Sequence, residues 1–219
     1  MAHAKSFFLD DDIYAYLLEH NRPLDDVLTE LAQETRALGR IAGMQIAPEQ
    51  GVFMTILVRA LGVQRAIEVG TFTGYSAICI ARGLAPGGRL LTCDINGEWT
   101  AVARRYWDRD GLADRIDLQL GPAADTLRSL PAAQDVDFAF IDADKPSYPV
   151  YYEEILRRLR PNGLILVDNV LQRRHVLDQE TDDANVAAIK AFNDLVLDDD
   201  RVDLVMLAIS DGLTILRKR

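Results

Sequence analysis

The chain has 219 residues, of which 24 are basic and 34 acidic, for a net charge of −10; 49% are hydrophobic and 26% charged. This length fits one domain or at most two, and the balance is that of a folded globular chain rather than a disordered one. The acidic excess argues against a protein that coats nucleic acid, because phosphate binding relies on lysine and arginine, and it leaves room only for a local basic patch.

In chain order, Asp10, Asp11 and Asp12 stand where a signal peptide would need an apolar run. No stretch of about 18 apolar residues is expected, so the chain reads as a cytoplasmic protein that does not span a membrane. Residues 10–19 carry a helical stripe at Ile13, Tyr14, Leu17 and Leu18. Pro23 begins a second predicted helix with Val27, Leu28, Leu31 and Leu38 on one face, and Pro48 opens a third that reaches Leu61. From residue 66 the pattern changes. Short apolar strands are predicted over 66–69, 89–93, 136–141 and 164–167 and a strand of alternating pattern over 116–120, interleaved with helices over 75–84, 98–109, 151–159 and 184–197. Pro161-Asn162-Gly163 stops the helix before the fifth strand. Strands over 202–209 and 213–216, joined by Ser210-Asp211-Gly212, read as a terminal hairpin. Cys79 and Cys93 both lie in apolar stretches and read as reduced core thiols, not as a disulfide or a zinc site. The expected fold is an α/β, Rossmann-like, mostly parallel seven-stranded sheet with an antiparallel end. It is expected as one domain, with residues 1–62 a helical extension and 63–219 the cofactor-binding core.

In open α/β sheets ligands bind beyond the carboxyl ends of the strands. Glu68, Asp94, Asp142 and Asp168 fall there or close by. The turn after the first strand has glycines at Gly70 and Gly74, with Thr71 between them and Ser76 just beyond. That spacing matches neither the dinucleotide fingerprint nor a phosphate-binding loop ending in Gly-Lys-Ser/Thr. Taken alone it is also compatible with a plain strand-to-helix turn. Asp94 lies 24 residues after Gly70, where an acidic side chain accepts ribose hydroxyls. An adenosine ligand without a pyrophosphate fits, S-adenosylmethionine among them; the bland alternative for Asp94 is a helix cap helped by Asn96. Asp142, Asp168 and Asn169 offer hard oxygen ligands with no histidine or cysteine, a set for Mg2+, Mn2+ or Ca2+ rather than zinc. Lys145 follows on the same loop. A lysine beside a dication can serve as a base, and the bland alternative is a surface salt bridge to Asp144.

These segments resemble the cation-dependent, S-adenosylmethionine-dependent O-methyltransferases, the group that includes caffeoyl-CoA and catechol O-methyltransferases. The likeness runs through MQIAPEQG from Met44, AIEVGTFTGYSA from Ala66, CDIN from Cys93, IDLQLGPA from Ile116, FIDADKPSY from Phe140, GLILVDNVL from Gly163 and SDGLTILRKR from Ser210. It implies that Glu68, Gly70, Thr71 and Ser76 contact the cofactor, with Glu68 at its methionine end. It implies further that Asp94 holds the ribose, that Ala123 borders the adenine, and that Ile46 stands at a cofactor position where plant relatives have threonine. Asp142, which also counts among the cofactor contacts and catalytic groups, is implied as a metal ligand with Asp168 and Asn169, and Lys145 as the base. A small aromatic hydroxyl acceptor and a homodimer are implied as partners.

After Leu171 the chain reads Gln172-Arg173-Arg174-His175, where many relatives have tryptophan, so a caffeoyl-CoA acceptor does not follow. Arg173 and Arg174 could meet an anionic acceptor or be a solvated loop; His175 reads as an ordinary loop histidine. Other readings are methylation of a hydroxylated transfer-RNA uridine, with Arg157, Arg158, Arg160, Arg173 and Arg174 as a patch, and a non-catalytic cofactor-binding subunit. A dinucleotide-dependent oxidoreductase is disfavoured by the glycine spacing and the terminal hairpin.

Overall fold

The computed structural model describes residues 10–219; the part of the signal-peptide reading that concerns residues 1–9 lies outside the described residues. Seven strands form one sheet: β1 (Arg65–Val69), β2 (Arg89–Asp94), β3 (Ile116–Leu120), β4 (Val136–Ile141), β5 (Leu159–Asp168), β6 (Val202–Leu207) and β7 (Leu213–Lys218). Their order is β3-β2-β1-β4-β5-β7-β6. The first five pair in parallel, and β7 runs antiparallel to both β5 and β6.

Helices α1 (Asp11–Glu19), α2 (Asp26–Arg36), α3 (Pro48–Ala60), α4 (Tyr75–Gly83), α5 (Gly97–Arg109), α6 (Ala123–Ser129), α7 (Tyr148–Arg158) and α8 (Ala184–Leu197) complete the order. One face of the sheet, through Ala66, Leu90, Phe138, Phe140 and Leu166, packs on buried residues of α2 to α5. The other, through Ile67, Val69, Ala139, Ile141 and Val167, packs on α6 to α8. Burial on both faces is why the central strands read as mostly apolar runs rather than as alternating ones.

Several boundaries differ from the sequence expectation for local reasons. Helix α2 begins at Asp26, not Pro23, because the Asp25 carboxylate caps it by accepting from the Leu28 amide at 3.1 Å. Leu38 lies beyond its end, so it does not share the buried face of Leu28 and Leu31. Helix α7 starts at Tyr148, where Pro149 sits in the first turn without breaking a hydrogen bond. It ends at Arg158, ahead of Pro161; the Pro161-Asn162-Gly163 segment is a bulge inside β5, with Val136 paired to Leu159 but Phe138 to Leu164. Helix α6 has only seven residues, and buries only Ala123 and Leu127, too few to show a periodic stripe. Strand β6 stops at Leu207, before the Ser210-Asp211-Gly212 turn.

One segment is more apolar than expected. Gly39–Ala60 contains an 18-residue window of mean hydropathy 1.2. It is not one continuous helix: a 3-10 turn over Gly39–Met44 is followed by extended Gln45 and Ala47, and α3 begins afresh at Pro48. Its inward residues, Ile46, Met54 and Val58, belong to the core cluster packed on the sheet.

Candidate active site at the strand ends

The register sets the site. Glu68 pairs with Thr92 on β2 and Phe140 on β4, and Phe140 with Leu166 on β5. Side chains two residues apart share a face. The next level on that face therefore reads, strand by strand, Asp94, Gly70, Asp142, Asp168. Three acids stand in one row across four strands, with a glycine over β1.

Gly70 could be nothing larger. Its φ is +100°, and a Cβ there would lie 1.9 Å from the Asp142 carbonyl oxygen. The turn it opens is held by Asp94, whose Oδ2 accepts from the amides of Thr71 at 3.0 Å and Phe72 at 2.7 Å, and whose Oδ1 accepts from Asn96 at 2.8 Å. Asp94 is thus no cap of α5. Asn96 caps that helix itself, accepting from the Glu98 and Trp99 amides.

One level down, Glu68 is fully buried. Its Oε2 accepts from the Thr92 hydroxyl at 2.5 Å, and Thr92 in turn shares a 2.6 Å hydrogen bond with Thr71. Burial pushes the Glu68 carboxyl up to about 8; the hydroxyls of Ser76 and Thr92 oppose this, and the charges of Asp142 and Asp94 add to it. Its Oε1 is buried without a protein donor. A small cleft beside this turn is lined by Ile46, Gly70, Thr71, Ser76 and Asp142. Ala123 is buried at the first turn of α6, close in the chain to the end of β3.

At the other end of the row, Asp168 is 2% exposed. Its Oδ1 accepts from the Asn169 amide at 2.6 Å and its Oδ2 from Gln50 Nε2 at 2.8 Å. Burial and the charge of Asp142 hold its carboxyl well above the usual range. Lys145 does not pair with Asp144, which instead accepts from Tyr151 at 2.6 Å. Its Nζ donates to Asp142 Oδ1 at 3.1 Å, Asn169 Oδ1 at 2.7 Å and the Tyr148 hydroxyl at 2.6 Å. The structure therefore gathers Asp142, Lys145, Asp168 and Asn169, and places Glu68, Gly70, Thr71, Ser76 and Asp94 along the same strand ends. Gln50, Thr92 and Tyr148 were not singled out from the sequence.

Among the described residues no group of three or more histidine, cysteine, aspartate or glutamate side chains is arranged to hold a metal ion. The candidate set has two carboxylates and one amide oxygen. Its chemistry fits a hard cation: two acids on neighbouring strands repel one another, and the oxygens of Asp142 and Asn169 already converge on one positive charge, the Lys145 ammonium.

Beyond the row, Asn169, Gln172, Arg173 and Arg174 all have positive φ. His175 pairs with Asp178 at 3.0 Å, both exposed. The proposed arginine patch does not form. Arg158 is buried against Glu154 and Arg160 binds Asp137 near the start of β5, at the opposite end of that strand from Arg173 and Arg174.

Residues 18–219 match the family described as O-methyltransferase. The chain belongs to that family. A Dictyostelium discoideum protein named probable caffeoyl-CoA O-methyltransferase 1 is 36% identical over 95% of this chain and 93% of its own length. A catechol O-methyltransferase of Niastella koreensis is 35% identical over 84% and 83%. The solved O-methyltransferase of Bacillus cereus, in complex with SAH, superposes with a TM-score of 0.87 at 31% identity, covering 95% of this chain and 97% of that one. The chain is thus an S-adenosylmethionine-dependent O-methyltransferase, with relatives named for caffeoyl-CoA and for catechol.

A raised carboxyl pKa stabilises the fold fully below the unfolded value, near 4, and that contribution is lost as pH rises through the folded value. Glu68→Gln removes the loss. In thermal melts of the ligand-free protein, the variant should match wild type near pH 4 and pull ahead progressively from there to pH 8, by at least about 2 °C at pH 8, since ~1 kcal/mol moves a chain of this size by that much. Parallel pH profiles would contradict the buried-acid assignment.

Proposed function

We propose that this O-methyltransferase methylates one hydroxyl of a small aromatic acceptor bearing two adjacent oxygens, such as a catechol, with a divalent cation held by Asp142, Asp168 and Asn169. The observation that carries the reading is the strand-end row. Neighbouring strands lie about 4.8 Å apart, so Asp142 and Asp168 are neighbours while Asp94 stands two strands, or ~10 Å, from Asp142. That separation suits a sugar at Asp94 and a cation at the far end, with the open surface of Gly70 between them.

In this reading each residue has a task set by its surroundings. Asp94 keeps acceptor capacity for a ribose hydroxyl beyond its three amide donors. Glu68 Oε1, buried without a donor, suits the amino group at the methionine end of the cofactor. Thr71 and Ser76 keep Glu68 and the turn in place, while Ile46 and Ala123 supply apolar borders to the cofactor, the latter beside adenine. The cofactor supplies a methyl group on a positively charged sulfur, and the cation supplies Lewis acidity to an acceptor hydroxyl whose ordinary pKa is about 10. Asp142, Asp168 and Asn169 would hold that cation and so orient the acceptor beside it. Lys145 Nζ stands beside the same oxygens as the group that receives the hydroxyl proton, and the ammonium so formed is the state that Asp142, Asn169 and Tyr148 hold. Fixing both reactants in line is itself worth several kcal/mol of the barrier, on the order of 7 or more in well-oriented systems.

With a catechol as acceptor, methyl transfer should stop in excess chelator and return with Mg2+ or Mn2+, while the thermal midpoint shows a folded protein throughout. Asp168→Ala should abolish transfer and keep cofactor affinity measurable by calorimetry. Full turnover in chelator would overturn the cation's role.

Lys145→Met keeps most of the aliphatic length and removes the amine. Turnover should fall about 10²–10⁴-fold, the range for a positioned base. The loss should shrink for acceptors with more acidic hydroxyls, and cofactor affinity should hold. Turnover measured against acceptor pKa for both proteins decides it; equal rates across the series would remove Lys145 as the base.

A further inference from the structure

Gln50 lies 118 residues from Asp168 in the chain, yet its Nε2 donates to Asp168 Oδ2 at 2.8 Å. Its side chain is fully buried, and Asp168 is 2% exposed. We infer that Gln50 is a positioning residue for the cation centre: its amide holds the Asp168 carboxylate in the orientation in which it meets a divalent cation. The inference rests on the cation reading above and adds to it a residue on a different element.

Three observations carry it. The first is that Asp168 is held from both sides, by the Gln50 amide on Oδ2 and the Asn169 backbone amide on Oδ1. A carboxylate fixed at both oxygens has one rotamer to offer a ligand. The second is the amide's own accounting. Gln50 Oε1 is buried with no donor. Turning the amide over would set that oxygen against the Asp168 carboxylate, so the orientation with Nε2 towards Asp168 is the one that can persist. The fold thus leaves one buried acceptor unpaired while Nε2 serves the acid, a cost that a residue present only to fill space would not incur.

The third is how firmly Gln50 is placed. Helix α3 lies almost backbone to backbone on α4. A Cβ on Gly51 would come within 2.7 Å of Cys79 Sγ and 3.0 Å of Tyr75 Cε1, and one on Gly83 within 2.7 Å of the Thr55 carbonyl oxygen. Thr55 Oγ1 donates to the Cys79 carbonyl at 2.8 Å. Small residues four apart on both helices, 51 and 55 against 79 and 83, make this close approach possible. Helix α4 itself leaves the Gly70 turn, so α3 carries Gln50 on the same rigid support that carries the cofactor turn.

The residue type also fits. Asp142 and Asp168 bring two negative charges and Lys145 one positive. A lysine or arginine at position 50 would neutralise the pair, and a glutamate would add a third acid. Glutamine donates a hydrogen bond and leaves the charge of the centre unchanged.

The test is Mn2+ titration by calorimetry of the full chain with SAH bound, for wild type, Gln50→Met and Gln50→Asn. Met fills the space without a donor. Asn keeps an amide but withdraws it by one methylene, and it answers the question should Met fail to fold. Loss of a hydrogen bond to a metal-ligating carboxylate weakens metal binding typically 10–100-fold, so the Mn2+ dissociation constant should rise by about that factor while SAH affinity stays within about twofold. In turnover assays the Mn2+ concentration for half-maximal rate should rise in step, and the rate at saturating Mn2+ should fall far less. Wild-type Mn2+ affinity in a folded variant would overturn the inference. So would an equal loss of SAH affinity, which would make Gln50 a support of the fold at large. No Mn2+ uptake by the wild-type protein would overturn the cation reading itself, and Gln50's role with it.

Discussion

Parallel strands in register bring side chains at one level onto one face of the sheet, and the whole site depends on that constraint. Because Glu68, Thr92, Phe140 and Leu166 share a level, the residues two positions on must share the next, and these are Gly70, Asp94, Asp142 and Asp168. A slip of one residue in β4 would turn Asp142 to the other face and break the row. The register is secured by the apolar runs of β1, β4 and β5, buried on both sides, so the hydrophobic packing that stabilises the sheet also fixes the spacing of its acids.

Concentrating acids costs stability. Glu68 and Asp168 are both buried and both have raised carboxyl pKa values. The chain offsets this with hydroxyls, amides and one ammonium rather than with arginines. Thr92 serves Glu68; Gln50 and the Asn169 amide serve Asp168; Lys145 stands between Asp142 and Asn169 and is braced by Tyr148. Arginines elsewhere are engaged in ion pairs, such as those of Arg82 with Asp25 and Asp110 and of Arg201 with Asp199 and Glu153. The centre therefore keeps net negative character, which suits a positively charged cofactor and the cation proposed here.

Much of this is legible in the sequence through its strand ends. Short apolar runs ending in Glu68, Asp94, Asp142 and Asp168 mark both the strands and the level where ligands bind. What stayed hidden were partners whose meaning depends on tertiary contact. Gln50 lies within the MQIAPEQG segment that carries the family likeness, but nothing in its neighbours announces an acid 118 residues away. Thr92 looks like an ordinary β-branched strand residue until the register sets it beside Glu68. Tyr148 was hidden because α7 was expected to begin three residues later. The surface-pair reading of Lys145 failed for a similar reason: Asp144 is its chain neighbour, but Tyr151 occupies that carboxylate, and the Lys145 ammonium turns inward. Helix α6 is too short for periodicity to reveal.

The central claim is that one row of strand-end residues separates a cofactor site from a cation site. Diffraction from crystals grown with SAH and Mn2+, recorded at a wavelength where manganese scatters anomalously, tests it most directly. The account predicts one strong anomalous peak in contact with oxygens of Asp142, Asp168 and Asn169, and SAH with its ribose on Asp94. A manganese peak elsewhere, or SAH bound away from the Asp94 and Gly70 turn, would contradict it.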